Sequence, residues 1–208
     1  MRKITALPAS KDRLIVGISG ASGVVYGIRL LEALKELGIE SHLVVSKAAQ
    51  LTMAYETSVK PKAVEAKADF AYAAGDIGAS IASGSFRTRG MVVAPCSVRT
   101  MSEIATGVTT TLLSRAADVV LKERRTLVLM VRETPLHLGH LRTMTALSEM
   151  GAIIMPPVPA FYAAPNTLED LVDHTIGRTL DCFGYNWPKI RRWSDGAPRG
   201  AGPKKNVK

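Results

Sequence analysis

A chain of 208 residues, 47% hydrophobic and 22% charged, has the size and composition of one globular domain with a full core, with or without a tail. No apolar run approaches the roughly 20 residues of a membrane span, and the opening MRKITALPASKDR lacks the apolar stretch of a secretory signal. The net charge of +9 is uneven: residues 186–208 carry +6 and residues 1–185 only +3, so nucleic-acid binding has support in a Gly/Pro/Lys-rich tail alone and is not expected of the domain.

The elements alternate along the chain. RLIVGI (13–18) reads as a fully buried strand, and 24–37 as a helix with Val24, Ile28, Leu31 and Leu34 on one stripe. Between them lie Gly17, Gly20, Gly23 and Gly27. The spacing is G-x-x-G-x-x-G, which is neither the dinucleotide fingerprint nor a phosphate loop ending in Lys-Ser or Lys-Thr. ESHLVVS (40–46) is a second strand, and Ser46 caps a helix over 47–56. Residues 57–89 are less periodic and include the Gly/Ser-rich ASIASGSFRTRG. GMVVAPCS (90–97) is a third strand, and 98–122 is helical with a break at Gly107. TLVLMV (126–131) is a strand, and 139–151 a helix stopped by Gly151. AIIMPPVPAFY (152–162) is read as a strand ending in prolines, and 167–184 as a last helix capped by Thr167.

This alternation predicts an α/β fold: a Rossmann-like or flavodoxin-like parallel sheet with helices on both faces, binding its ligand at the carboxyl ends of the strands. The polar residues there are Ser19, Ser22, Ser46, Ser97, Arg99, Thr100, Arg132, Glu133 and Tyr162. Hydroxyls beside helix N-termini expected at 22, 47 and 98 suit a phosphorylated ligand with a polyol chain. Ser46 stands where an acidic residue would read a nicotinamide dinucleotide's ribose, which favours FMN over NAD. Cys96 and Cys182 have no zinc-like spacing and read as reduced thiols of a cytoplasmic protein. His137 and His140 lack a spaced carboxylate, so no metal is expected.

Five segments in order, GISGASGVVYG, VVSKAAQLTMAYET, SGSFRTRGMVVAPCS, RAADVVLKERRTLVLMVRETPL and PPVPAFY, resemble the flavin prenyltransferases, the UbiX/Pad-type proteins, from about Leu14 to Trp193. The resemblance implies transfer of a dimethylallyl group from dimethylallyl phosphate to N5 and C6 of reduced FMN. It also implies a homo-dodecamer with sites at subunit contacts, and delivery of the prenylated flavin to a UbiD-type decarboxylase. It assigns Gly20, Ala21, Ser22, Ser46, Ser97, Val98, Arg99, Thr100 and Arg132 to FMN. Ser83, Gly84, Arg115, Lys122, Arg132, Glu133, Tyr162 and Arg178 are assigned to dimethylallyl phosphate, with Glu56 and Trp193 lining or closing the site. The catalytic set is Glu133, Ser22, Lys122 and Tyr162. The organisation implied is an arm (1–12), one catalytic domain (13–193) and a basic, flexible tail (194–208).

Plainer readings stay open. Arg115 and Lys122, seven apart, also fit a solvated helix face; the Lys-Glu-Arg-Arg run at 122–125 fits a solubilising turn; Arg132 and Glu133 fit a surface ion pair. Gly139 and Thr143 depart from the family pattern. The competing functions are an FMN-dependent cysteine decarboxylase, whose PASANT segment is PCSVRT here, and a non-enzymatic flavin-binding protein.

Overall fold

The computed structural model describes residues 12–190 and 192. Six parallel strands form one sheet in the order β3-β2-β1-β4-β5-β6. They are β1 (Arg13–Ile18), β2 (Glu40–Val45), β3 (Phe70–Tyr72), β4 (Gly90–Cys96), β5 (Thr126–Val131) and β6 (Ile153–Ile154). The helices are α1 (Val24–Glu36), α2 (Lys47–Glu56), α3 (Pro61–Glu65), α4 (Val98–Thr106), α5 (Leu112–Lys122), α6 (Leu138–Glu149) and α7 (Leu168–Asp181). This is the doubly wound order, in which connections from β1 and β4 leave toward opposite edges of the sheet.

The strands are apolar throughout because both faces are covered. Alternate residues Leu14, Val16, Ile18, Val92, Ala94, Val128 and Met130 pack under α1 and α7. Their neighbours Ile15, Met91, Val93, Leu127 and Leu129 pack under α4 and α5. Gly27 lets α1 approach the sheet: a Cβ there would overlap the Ala94 carbonyl and come within 2.7 Å of Ile18 Cδ1. An Arg29–Asp173 ion pair at 2.6 Å joins α1 to α7, and buried Trp187 donates to Glu36 at 2.9 Å from the last turn of α1.

Two expectations are corrected. The strand read over 152–162 pairs only at Ile153–Ile154, with one further bond from Met155 N–H to the Leu129 carbonyl. Pro156, Pro157 and Pro159 cannot donate to a ladder, and Phe161–Ala163 forms a 3-10 turn instead. In the aperiodic 57–89 region the chain forms α3, with Pro61 in its first turn, and the short edge strand β3. The two departures from the family pattern touch each other. The Thr143 hydroxyl donates to the Gly139 carbonyl at 2.9 Å, and a Cβ on Gly139 would press on His137, whose Nδ1 caps α6.

Candidate active site

The reversal of direction between β1 and β4 opens a crevice at their carboxyl ends, and buried Ser19 stitches its two walls together. Its Oγ donates to the Pro95 carbonyl at 2.9 Å and accepts the Ser97 N–H at 2.7 Å. Ser46 caps α2 by accepting the Ala49 N–H at 3.1 Å. Ser97 caps α4 by accepting the Thr100 N–H at 3.2 Å, and donates to the Thr100 hydroxyl at 3.1 Å. Thr111 caps α5 in a reciprocal box with Ser114.

These three helix starts surround a cavity of about 320 Å³, lined by Gly20, Ser46, Lys47, Ser97, Thr100 and Thr111 among others. Dipoles and hydroxyls there converge on one space; Lys47 adds positive charge, while Arg99 pairs at 2.9 Å with Glu103, which also lines the cavity. The donor set fits a phosphate ester carrying a hydroxylated chain. Lys47, Gly75, Thr110 and Thr111 escaped the sequence reading. The Thr111-x-x-Ser114 spacing was a usable signal for a helix start; the Ala74–Gly75 wall was not, because it depends on β3.

The first glycine loop behaves differently from expectation. The N-terminus of α1 already holds an anion, the Glu56 carboxylate, which accepts the Gly23 N–H at 2.9 Å and the Val24 N–H at 3.1 Å. Partial burial raises the Glu56 carboxyl, but the Ser22 hydroxyl, the two amides and the Arg132 charge together hold it below its ordinary value. The α1 N-terminus therefore does not present free amides as those of α2 and α4 do. Ser22, Glu56 and Arg132 instead form a polar group beside the crevice, and the Arg132 N–H ties the end of β5 to the Cys96 carbonyl at 3.1 Å. Glu133 follows, accepting the Thr134 N–H at 3.0 Å. Burial pushes the Cys96 thiol up, so it stays a neutral core group.

The other assigned residues lie elsewhere. Helix α5 returns from the carboxyl edge of the sheet and its 11 residues span about 16 Å. Lys122 therefore emerges at the amino edge, beside Ser83 and Gly84 and just before β5 begins. The Tyr162 hydroxyl meets His174 Nε2 at 3.2 Å, and Arg178 lies one turn further along α7. Arg115 pairs with Asp118 at 2.7 Å, Lys122 with Glu123, and Arg178 with Asp181 at 2.6 Å. Within one chain the four assigned cations are not gathered: Arg115, Lys122 and Arg178 have their own carboxylates, and Lys122 lies at the opposite edge from Arg132. Trp193 lies outside the described residues. Among the described residues, no group of three or more His, Cys, Asp or Glu is placed to hold a metal ion, and no helix is long and apolar enough to cross a membrane.

Residues 3–180 match the Flavoprotein family. The chain is 58% identical over 184 residues to the flavin prenyltransferase UbiX of Escherichia coli K12, covering 87% of this chain and 97% of that protein. Among solved structures, it resembles AnUbiX in complex with FMN and dimethylallyl pyrophosphate (TM-score 0.88, 46% identity, 90% of this chain and 100% of that one). It also resembles a dodecameric FMN-dependent UbiX-like decarboxylase from Escherichia coli O157:H7 (TM-score 0.86, 50% identity, 88% and 100%).

Proposed function

This chain belongs to the Flavoprotein family, among its UbiX-type flavin prenyltransferases, and on that premise we propose that it transfers the dimethylallyl group of dimethylallyl phosphate to N5 and C6 of reduced FMN, releasing phosphate. The cavity at the starts of α2, α4 and α5 carries this reading: three capped helix N-termini face a common space there, beside the sheet's switch point. We assign it to the ribityl phosphate of FMN, with Gly20, Ser46 and Ser97–Thr100 as its contacts.

Bound reduced FMN supplies the nucleophilic N5 and C6; the chain's residues supply charge and proton handling. Arg115, Lys122, Arg132, Arg178 and the Tyr162 hydroxyl stabilise the charge that develops on phosphate as the allylic C–O bond breaks. The Ser22 hydroxyl, hydrogen-bonded to a Glu56 carboxylate that stays ionised at neutral pH, is the proton-bearing group of that pair beside the crevice. Glu133, next to Arg132, accepts the proton lost at C6, a role the released phosphate can share.

These residues belong to three separate parts of the surface, so the reading includes a homo-oligomer in which neighbouring copies complete each site. A dodecamer of the kind named for the E. coli O157:H7 relative is the assembly we propose. The catalytic unit is residues 13–193, flanked by the arm 1–12 and the tail 194–208. Free thiols at Cys96 and Cys182 suit the cytoplasm. A UbiD-type decarboxylase is the recipient of the product, because a flavin with an added non-aromatic ring is a cofactor for other chemistry.

Mass spectrometry of the flavin after anaerobic incubation with reduced FMN and dimethylallyl phosphate tests the proposal. A flavin heavier by one five-carbon unit supports it; unmodified FMN with intact dimethylallyl phosphate refutes it.

A further inference from the structure

Arg125 ends the Lys-Glu-Arg-Arg run before β5, where the sequence offers only a solubilising turn. In the structure its side chain is 17% exposed and both guanidinium branches are used. One donates to the Phe86 carbonyl at 2.7 Å and the other to the Gly84 carbonyl at 2.6 Å. This fork pins the end of the Ser83–Gly84 loop, about 40 residues upstream, to the start of β5. The Phe86 ring is held as well: the Arg13 guanidinium lies 4.8 Å from its centroid, and buried His42 meets it edge-on at 5.1 Å.

Gly84 then packs directly against the Lys122–Glu123 pair. A Cβ at position 84 would overlap the Glu123 carboxylate and lie 2.8 Å from Lys122 Nζ. The φ of Gly84 lies outside the left-handed region, so space and not backbone strain requires glycine. Glu123 bonds to Lys122 and reaches Arg125 at 3.9 Å. Ser83, Gly84 and Lys122 are thus one unit, and Arg125 sets the distance between the loop backbone and the ammonium group.

We propose that Arg125 is a positioning residue for prenyl-phosphate binding, acting through the Gly84 carbonyl and Lys122 and not by touching the substrate. The proposal rests on the assignment of Lys122 and the Ser83–Gly84 loop to that phosphate. A planar fork can hold two carbonyls at once; a lysine at this position offers one point charge and can hold only one well.

The test uses full-length Arg125→Gln, Arg125→Lys and Gly84→Ala. The last keeps the fork but displaces the flexible Lys122–Glu123 side chains. Four quantities are read: FMN affinity, assembly mass, the Kd of inorganic phosphate for the FMN-loaded protein by calorimetry, and KM and kcat for dimethylallyl phosphate. Arg125→Gln is expected to raise the phosphate Kd about tenfold and to lower kcat/KM for dimethylallyl phosphate by at least about tenfold, with KM raised and kcat lowered together, as for a misplaced contact that also tightens when phosphate leaves. FMN affinity and assembly mass stay as in the wild type. Arg125→Lys recovers part of the loss, and Gly84→Ala reproduces the KM rise with the fold intact. Unchanged phosphate Kd and KM in Arg125→Gln and Gly84→Ala overturn the proposal, as does a fall in FMN affinity that matches the KM change. If Arg125→Gln fails to fold, Gly84→Ala decides by the same criteria. Phosphate binding that responds to these variants in a protein that forms no prenylated flavin upholds the clamp and overturns the prenyl assignment beneath it.

Discussion

Glu56 shows how one side chain can serve both the fold and the site. Its carboxylate caps α1 through the Gly23 and Val24 amides while facing Ser22 and Arg132. Its folded pKa lies below the ordinary 4.5, so its stabilising contribution is fully present above that value and is lost as pH falls through the lower, folded one. Glu56→Gln should cost about 0.5–1 kcal/mol at neutral pH, the low end of capping energies because the group is solvent-exposed. The deficit should shrink in acid, where the wild-type carboxyl is itself protonated; urea titrations at neutral pH and below pH 4 measure it, and an undiminished deficit in acid would contradict the charge argument. Lys122 belongs to the same scale. Losing one charge-assisted bond to a departing phosphate should slow prenylation by roughly ten- to a hundredfold. FMN affinity should hardly change, since Lys122 is assigned to the prenyl phosphate and the flavin phosphate to the cavity at the starts of α2, α4 and α5. Steady-state kinetics with FMN titration on Lys122→Ala decide this; loss of FMN binding at an unchanged rate would move Lys122 to the flavin site. The helix caps were the most legible residues: Ser46, Ser97 and Thr167 carry side-chain oxygens immediately before helical patterns, and each caps as its position demands. Glu56 could be listed from resemblance, but its seat on α1 could not be read, because no local pattern tells a carboxylate at the end of one helix that it faces the start of another.

Helices and strands with strong patterns fell where periodicity put them. β1 and β5 are continuous aliphatic runs buried on both faces, and α2 occupies the segment its cap marks. Short elements were illegible for physical reasons. β3 has three residues at a sheet edge and exists because β2 offers it a free ladder; β6 is cut short by prolines that a hydrophobicity pattern ignores. Gly27, inside α1, has a packing role that is testable by itself. Gly27→Ala should force α1 away from the Ala94 carbonyl and Ile18, at a cost of about 1–3 kcal/mol typical of overpacking. A urea midpoint within error of the wild type would show that α1 has room the structure denies it. Because α1 also carries the amides that hold Glu56, the same variant should lower FMN affinity only if the helix shift reaches the crevice, which a titration on the folded variant reads separately.

For the molecule as a whole, resemblance supplied a list of site residues but not their distribution. The list is coherent as chemistry and scattered as geometry. Gly20, Ser22, Ser46, Ser97, Glu56 and Arg132 meet at the carboxyl edge; Ser83, Gly84 and Lys122 meet at the amino edge; Tyr162 and Arg178 stand on α7 and the turn before it. Spacing along one chain cannot reveal which parts of different copies meet, and no periodicity encodes it. The central claim is therefore that reduced FMN is prenylated in sites built from more than one copy. The most direct measurement mixes two impaired variants, Lys122→Ala and Arg132→Ala, into common assemblies and follows prenylated flavin by mass spectrometry. If Lys122 and Arg132 of one site come from different copies, random mixing restores both in roughly a quarter of the sites, as symmetry of a closed oligomer requires. The account predicts that the mixed assembly regains about that share of wild-type activity. Activity no greater than that of the two variants kept apart would contradict it.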